Sequence, residues 1–225
     1  MKIVGIIIII LLTFGCSKKQ TDLRIAQFEK ILGKENSETL TLMVAEFEDG
    51  FLKNKYPNLK SEQAYERLLT EMRESKSQSW NKLPKFDKSR FEKSELKYEI
   101  YAYVDSVWIE EKENPMMVSR YKLLDNGTFY HRSTLTSYRP KDEVDKDTLM
   151  KNRYTWTDLN YQSGRFWEAL RKTGQKDKFI VDYLDFANSS GVMQPEIMVD
   201  KMLNTNMNYS DYFIKRIIVT ELSYQ

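Results

Sequence analysis

Residues 117–135 read MVSRYKLLDNGTFYHRSTL. Two runs, Met117–Leu124 and Thr128–Leu135, flank Asp125-Asn126-Gly127. Asn-Gly between such runs signals a β-hairpin, because a type I′ turn needs positive φ at both central residues and these two types tolerate it. A lone two-stranded hairpin is marginal in water, so a third strand is expected. Upstream, Val107–Glu111 is short, β-branched and aromatic, and Asn114-Pro115 marks the turn after it. The reading is a small antiparallel meander within about 97–137. Its first part, Lys97–Asp105, stays open. Tyr98, Ile100, Ala102 and Val104 alternate as in a strand, while Leu96, Ile100, Tyr103 and Val107 recur as in a helix.

On either side of the meander the apolar period changes from two residues to 3.6. Within 22–75, Asp22 can cap a first helix ending near Gly33, and Ser37 can cap a second. Leu40, Val44, Phe47 and Phe51 of that second helix fall on one face. Tyr56-Pro57 ends it, since proline has no amide donor and disfavours helix in the residue before it. Ser61 can cap a third helix carrying Tyr65, Leu68, Leu69 and Met72, which predicts an antiparallel helical hairpin. From 140 to 225 helices return: Asp142–Arg153, Arg165–Thr173 stopped by Gly174, Asp177–Asn188, and Pro195–Leu203 with proline in its first turn. A last element opened by Ser210 or Asp211 has Phe213, Ile217, Ile218 and Leu222 at helical spacing, though its β-branched run 217–220 also suits a strand. The expected fold class is α+β, mostly helical, with residues 22–225 forming one domain.

The chain has 225 residues, 41% hydrophobic and 13% aromatic, with a formal charge of +2. That composition is not that of a disordered chain, which combines low hydrophobicity with high net charge. Nor is it the strongly basic balance of a nucleic-acid binder. A single cysteine, Cys16, can form neither an internal disulfide nor a cysteine zinc site.

Cys16 closes a distinctive leader. Lys2 supplies a positive start, Ile3–Phe14 are apolar but for Gly5 and Thr13, and Gly15-Cys16 follow. Twelve such residues are too few for a bilayer-spanning helix, which needs about 20, and suit the centre of a secretory signal. A small residue before a cysteine at this point resembles the lipobox of bacterial lipoprotein signal peptides. The resemblance covers residues 1–16. It implies cleavage after Gly15 and acylation of Cys16 through its sulfur, making residues 1–15 a removed signal and 16–21 a lipid-anchored tether. Several acyl chains give stable membrane residence where one is marginal. Ser17 stands where a retention signal for the inner membrane would have Asp, so the expected address is the outer membrane, facing the periplasm. Lys18 and Lys19 could touch anionic headgroups, and a merely solvated spacer explains them equally well.

Chemistry-bearing patterns are sparse. His131 is the only histidine, and on a hairpin strand it reads as an ordinary strand residue. No Gly-x-Ser-x-Gly nominates a nucleophile. Asp142, Glu143, Asp145 and Asp147 cluster, but Thr148, Leu149 and Met150 occupy positions where a calcium loop needs oxygen ligands and glycine. Helix-starting acids explain them through the amino-terminal dipole. Gly33-Lys34 lacks the rest of a phosphate loop. No catalytic residue, metal ligand or cofactor is therefore assigned. Between Lys76 and Lys97 seven basic residues face three acids, a pattern usual for a solvated face. An aromatic surplus remains, with fourteen tyrosines and four tryptophans. Trp80, Tyr101, Tyr103, Trp108 and Trp156 are the candidate contacts for a ligand or partner, since aromatics are enriched at interfaces. The expected function is a lipid-anchored envelope protein, a non-catalytic binding or scaffold subunit for another envelope protein. A glycan- or peptide-binding lipoprotein and a hydrolase using His131 are the alternatives.

Overall fold

The computed structural model describes residues 19–74, 89–100, 103–110, 116–125, 128–137, 164–190, 195–205 and 207–224. They form a mostly helical α+β fold with one small antiparallel sheet. The helix expected at 142–153 lies outside the described residues.

The first helix, α1, is described from residue 19 and ends at 32. Asp22 lies inside it and is therefore not its cap. Of the tether expected at 16–21, residues 19–21 are helical and 16–18 lie outside the described residues. Gly33 separates α1 from α2 (Lys34–Ala45) with φ 87°. That left-handed value favours glycine. Ser37 does not cap α2. Its hydroxyl donates to the Glu29 carbonyl at 3.1 Å, bracing the bend between the two helices.

Past α2 the backbone widens into a π-helical stretch, Glu46–Leu52, before a last turn, α3 (Lys53–Lys55). The wider turn pairs residues five apart, which alters the expected apolar face. Leu40, Val44 and Phe47 are buried as the sequence suggests, but Leu52 takes the next inward place and Phe51 is left half-buried. Tyr56 ends this helical run as expected, with φ −130°. Its hydroxyl donates to Glu71 at 2.9 Å, and Lys55 pairs with the same carboxylate at 2.8 Å.

Helix α4 (Ser61–Glu74) buries Tyr65, Leu68, Leu69 and Met72. Ser61 is not its cap either. The Lys60 carbonyl accepts from Ala64 at 2.9 Å, Gln63 accepts from the Lys60 amide at 3.2 Å, and the Ser61 hydroxyl is drawn to Glu48 at 2.6 Å.

Two short helices, α5 (Ser89–Lys93) and α6 (Leu96–Ile100), precede the sheet. The ambiguity at 97–105 resolves as both structures in succession: helix through Ile100, then strand β1 from Tyr103 to Glu110. Strands β2 (Met116–Asp125) and β3 (Thr128–Ser137) complete the meander in the order β1-β2-β3. Asp125 pairs with Thr128, the register that a two-residue turn imposes. The β1–β2 register slips between Val104 and Ser106, a bulge that gives Asp105 no partner in that ladder.

The carboxyl-terminal helices close the body: α7 (Arg165–Thr173), α8 (Lys178–Ser190), α9 (Pro195–Asn204) and α10 (Tyr212–Tyr224). Asp177 caps α8, accepting from Phe179 and Ile180 at 3.0 and 3.2 Å. Asp211 caps α10, accepting from Phe213 and Ile214 at 2.8 and 3.1 Å. The strand alternative for the last element gives way to a helix. Every residue from Phe213 to Leu222 except Lys215 is buried, and a helix enclosed on all sides loses the one-sided pattern that would identify it. Phe28 of α1 sits amid Phe166, Tyr212 and Phe213, with ring centres 5.6–6.0 Å apart and edges meeting faces.

Helix α1 runs antiparallel to α7. Near its start Arg24 donates through Nε to the Thr173 carbonyl at 2.7 Å, and its end abuts Arg165, whose Nη1 is 3.2 Å from where a Cβ on Gly33 would stand. At that second end α6 is fastened. Glu99 of α6, 1% exposed, accepts from the Arg165 amide at 2.8 Å and from its Nε at 2.5 Å. Trp167 Nε1 donates to the Ile100 carbonyl at 2.8 Å.

A Cβ on Gly164 would lie 2.1 Å from the Glu99 carbonyl oxygen, whereas one on Gly50 would meet nothing within 4 Å. Gly164→Ala should therefore lower stability by several kcal/mol, on the order of the larger steric effects. Gly50→Ala, inside a helix, should leave it unchanged or raise it by up to about 1 kcal/mol. Urea denaturation of both variants checks this pair, and equal midpoints would contradict it.

Candidate functional site

The sheet has two faces, assigned by pairing. Val104, Val107, Met117, Ser119 and Tyr121 share the buried face, each no more than 4% exposed. The open face carries Ser106, Trp108, Val118, Arg120, Lys122, Phe129, His131, Ser133 and Leu135. Only Val118 among these is buried.

At the turn end of the open face, rings and cations interleave. Tyr98 from α6 meets Phe129 edge-to-face at 5.2 Å. Lys122 Nζ lies 4.0 Å from the Phe129 ring centre and 5.1 Å from that of Tyr98. Lys97 Nζ approaches Tyr98 to 5.1 Å. The negative ring faces hold the ammonium groups over them. His131 pairs across from Lys122, and Arg132, on the other face of the same strand, pairs across from Tyr121. Both β3 residues are exposed.

Of the residues singled out from sequence, Trp108 is half-buried on the open face, two pairs along the β1–β2 ladder from Arg120 and in register with Val118 and Leu135. Tyr103 begins β1 and pairs with Lys122, so its backbone position belongs to the same face. His131 belongs there too, on an open strand and not in a cleft. Gly15, Cys16, Trp80, Tyr101, Trp156 and the acidic cluster 142–147 lie outside the described residues. Sequence reading did not single out Tyr98, Lys122, Phe129, Arg132 or Leu135. The signal was present, because the Asn-Gly turn fixes Lys122 opposite His131 and Leu124 opposite Phe129, and the rows follow by twos.

Grooves elsewhere are open. One of about 590 Å³ runs between α1 and α2, lined by Glu29, Lys30, Lys34, Ser37, Glu38 and Thr41. Arg216 is 5% exposed and reaches its edge, donating through Nη2 to Thr41 at 2.8 Å. Its guanidinium also lies 3.3 Å over the Tyr212 ring, whose hydroxyl donates to Glu29 at 2.9 Å. Among the described residues no group of three His, Cys, Asp or Glu side chains could hold a metal ion, and no helix is long and apolar enough to cross a membrane. Compared with protein-family models, curated proteins and solved structures, the chain matches none of them.

A second buried acid, besides Glu99, lies on α10. Glu221 of α10 is 3% exposed and accepts the Tyr183 hydroxyl through Oε1, while Oε2 has no hydrogen-bond partner. Burial pushes its carboxyl up to about 7, against the opposing pull of the Tyr183 hydrogen bond, and pushes the Tyr183 hydroxyl well above its usual range. With both groups sealed in the core, the pair has no access to a substrate. Its effect is on stability. The folded state holds the Glu221 proton that an unfolded carboxyl at 4.5 releases, so folding binds a proton between those values. The contribution is fully present below about pH 4.5 and is lost as pH rises through about 7. Measured by urea midpoint, the native chain should weaken across this window relative to Glu221→Gln by a few kcal/mol, at roughly 1.4 kcal/mol per pKa unit. Parallel curves for the two proteins would contradict the assignment.

Proposed function

We propose that the chain is a lipid-anchored protein of the bacterial envelope, held by acylated Cys16 at the outer membrane and facing the periplasm, where it acts as a binding or scaffold subunit without catalysis. The leader 1–16 supports the anchor. The observation that supports the binding role is the separation of two ends. The described part of α1 passes Thr173 at Arg24 and runs on nine residues, about 14 Å, to Gly33 beside Arg165. Arg165 holds Glu99, and α6 carries Tyr98 onto Phe129 of the sheet. A body anchored at the first end presents the open face of the sheet at the second, away from the lipid. That face, with half-buried rings beside cations and the exposed Leu135, suits a macromolecular surface. The hydrolase alternative through His131 draws no support from its position opposite Lys122.

Intact-mass analysis of the native amino-terminal peptide tests the anchor. The expected result is an acylated Cys16 as the first residue, and Cys16→Ser should move the protein from the membrane to the soluble fraction. An unmodified thiol with the leader still attached would overturn the assignment.

A further inference from the structure

We propose that the groove between α1 and α2 binds the phosphate group of a small ligand, held by the Thr41 hydroxyl with Lys30 and Lys34 and balanced from behind by Arg216. The proposal goes beyond the reading above and depends neither on the anchor nor on the face of the sheet.

Arg216 is only 5% exposed, and its charge is costly to remove from water. The acceptors it has found are neutral. Nη1 donates to the Tyr212 carbonyl at 3.1 Å and Nη2 to the Thr41 hydroxyl at 2.8 Å. The Tyr212 ring lies against the guanidinium, and Nε has no hydrogen-bond partner. Glu29 attracts the cation through space, but that carboxylate already takes the Tyr212 hydroxyl at 2.9 Å. A cation so placed gains from an anion close by. The groove, about 590 Å³ and lined by Thr41, is where one can approach.

Thr41 links the buried cation to the groove. Threonines inside helices can donate to the carbonyl four residues back, as Thr70, Thr173 and Thr220 do here. Thr41 instead accepts from Arg216, and among the described residues its own hydrogen has no acceptor. The side chain is exposed on the groove wall, so a hydroxyl polarised by a cation presents its hydrogen to an incoming oxygen. Lys30 from α1 and Lys34 from α2 line the same groove, both exposed, and Lys34 is held only loosely by Glu38 at 3.9 Å. With Arg216 these make three cations against two carboxylates, Glu29 and Glu38. The excess is positive and selects an anion. Lysines bind phosphate as point charges, and donors from two helices suit a tetrahedral group with oxygens in several directions. Leu42, 46% exposed on the same wall, offers an apolar surface to the rest of the ligand.

The test uses the full-length chain in mild detergent and phosphate-free buffer, dialysed to equilibrium against radiolabelled inorganic phosphate. One saturable site with a millimolar or smaller dissociation constant is expected, at least tenfold tighter than for acetate at equal ionic strength. Hydrogen exchange should slow in 29–42 on binding. Thr41→Val should weaken phosphate at least tenfold, and Thr41→Ser should keep it. Because Thr41→Val also strips a buried donor of its acceptor, a second variant combines Lys30→Gln with Lys34→Gln. It changes only exposed side chains and should weaken phosphate by a similar factor. Competition by glycerol phosphate and by dibutyl phosphate separates a soluble monoester from a lipid headgroup as the source, the better competitor naming it. If neither competes, the groove takes an adventitious ion only and the proposal falls. No saturable binding, equal binding of acetate, unchanged exchange in 29–42, or unchanged affinity in either weakened variant would each overturn it as well.

Discussion

A single buried carboxylate ties the helix before the sheet to the first described helix after it. Glu99 lies at the end of α6, just before the sheet, and takes hydrogen bonds from both the main-chain amide and the guanidinium of Arg165 at the start of α7. It thus offsets an unpaired amide at a helix start and neutralises a cation there. The two partners are unequal: Arg165 is 37% exposed and Glu99 only 1%. Without the arginine the acid would be stranded in the core, whereas the arginine without the acid could turn to water. The neighbours are fitted to this contact. Gly164 allows the Glu99 backbone to approach, Gly33 leaves room for the guanidinium, and Trp167 holds the following carbonyl.

Much of the fold was legible where one face is wet. The β2–β3 hairpin was readable because Asn126-Gly127 interrupts two runs of suitable length, and α4 because its buried side chains follow a single stripe. Legibility failed where the physics is not local. Ser37 and Ser61 looked like caps, but carbonyl or carboxylate acceptors from elsewhere in the chain took their hydroxyls. The π-helical turn between Phe47 and Leu52 leaves no mark in a pattern that assumes 3.6 residues. In α10, burial on every side erased the polar face that separates helix from strand. The candidate site shows the same division. The rows of the open face can be counted outward from the turn, while Tyr98 arrives from a helix whose place beside Phe129 no periodicity reveals.

The chemistry of the surface and that of the interior differ in kind. The open face holds its cations over rings, where water still reaches them and the attraction is modest. Inside, Glu221 and Arg216 are ionisable groups largely removed from water, and each keeps a polar atom without a partner. The first arrangement leaves charge available to another molecule. The second makes the fold itself respond to its surroundings.

The contacts of α1 carry a consequence for how the chain reaches its native state. Arg24 meets Thr173 across 149 residues, and Glu29 meets Tyr212 across 183. The meander, by contrast, pairs neighbours in sequence and needs only short loops to close. A chain made from its amino end must therefore keep Phe28 and Leu32 without their final partners until α10 has been synthesised. Non-local closure of this kind slows folding. During that interval the apolar stripe of α1 stands uncovered, which lengthens the time that aggregation-prone surface is exposed.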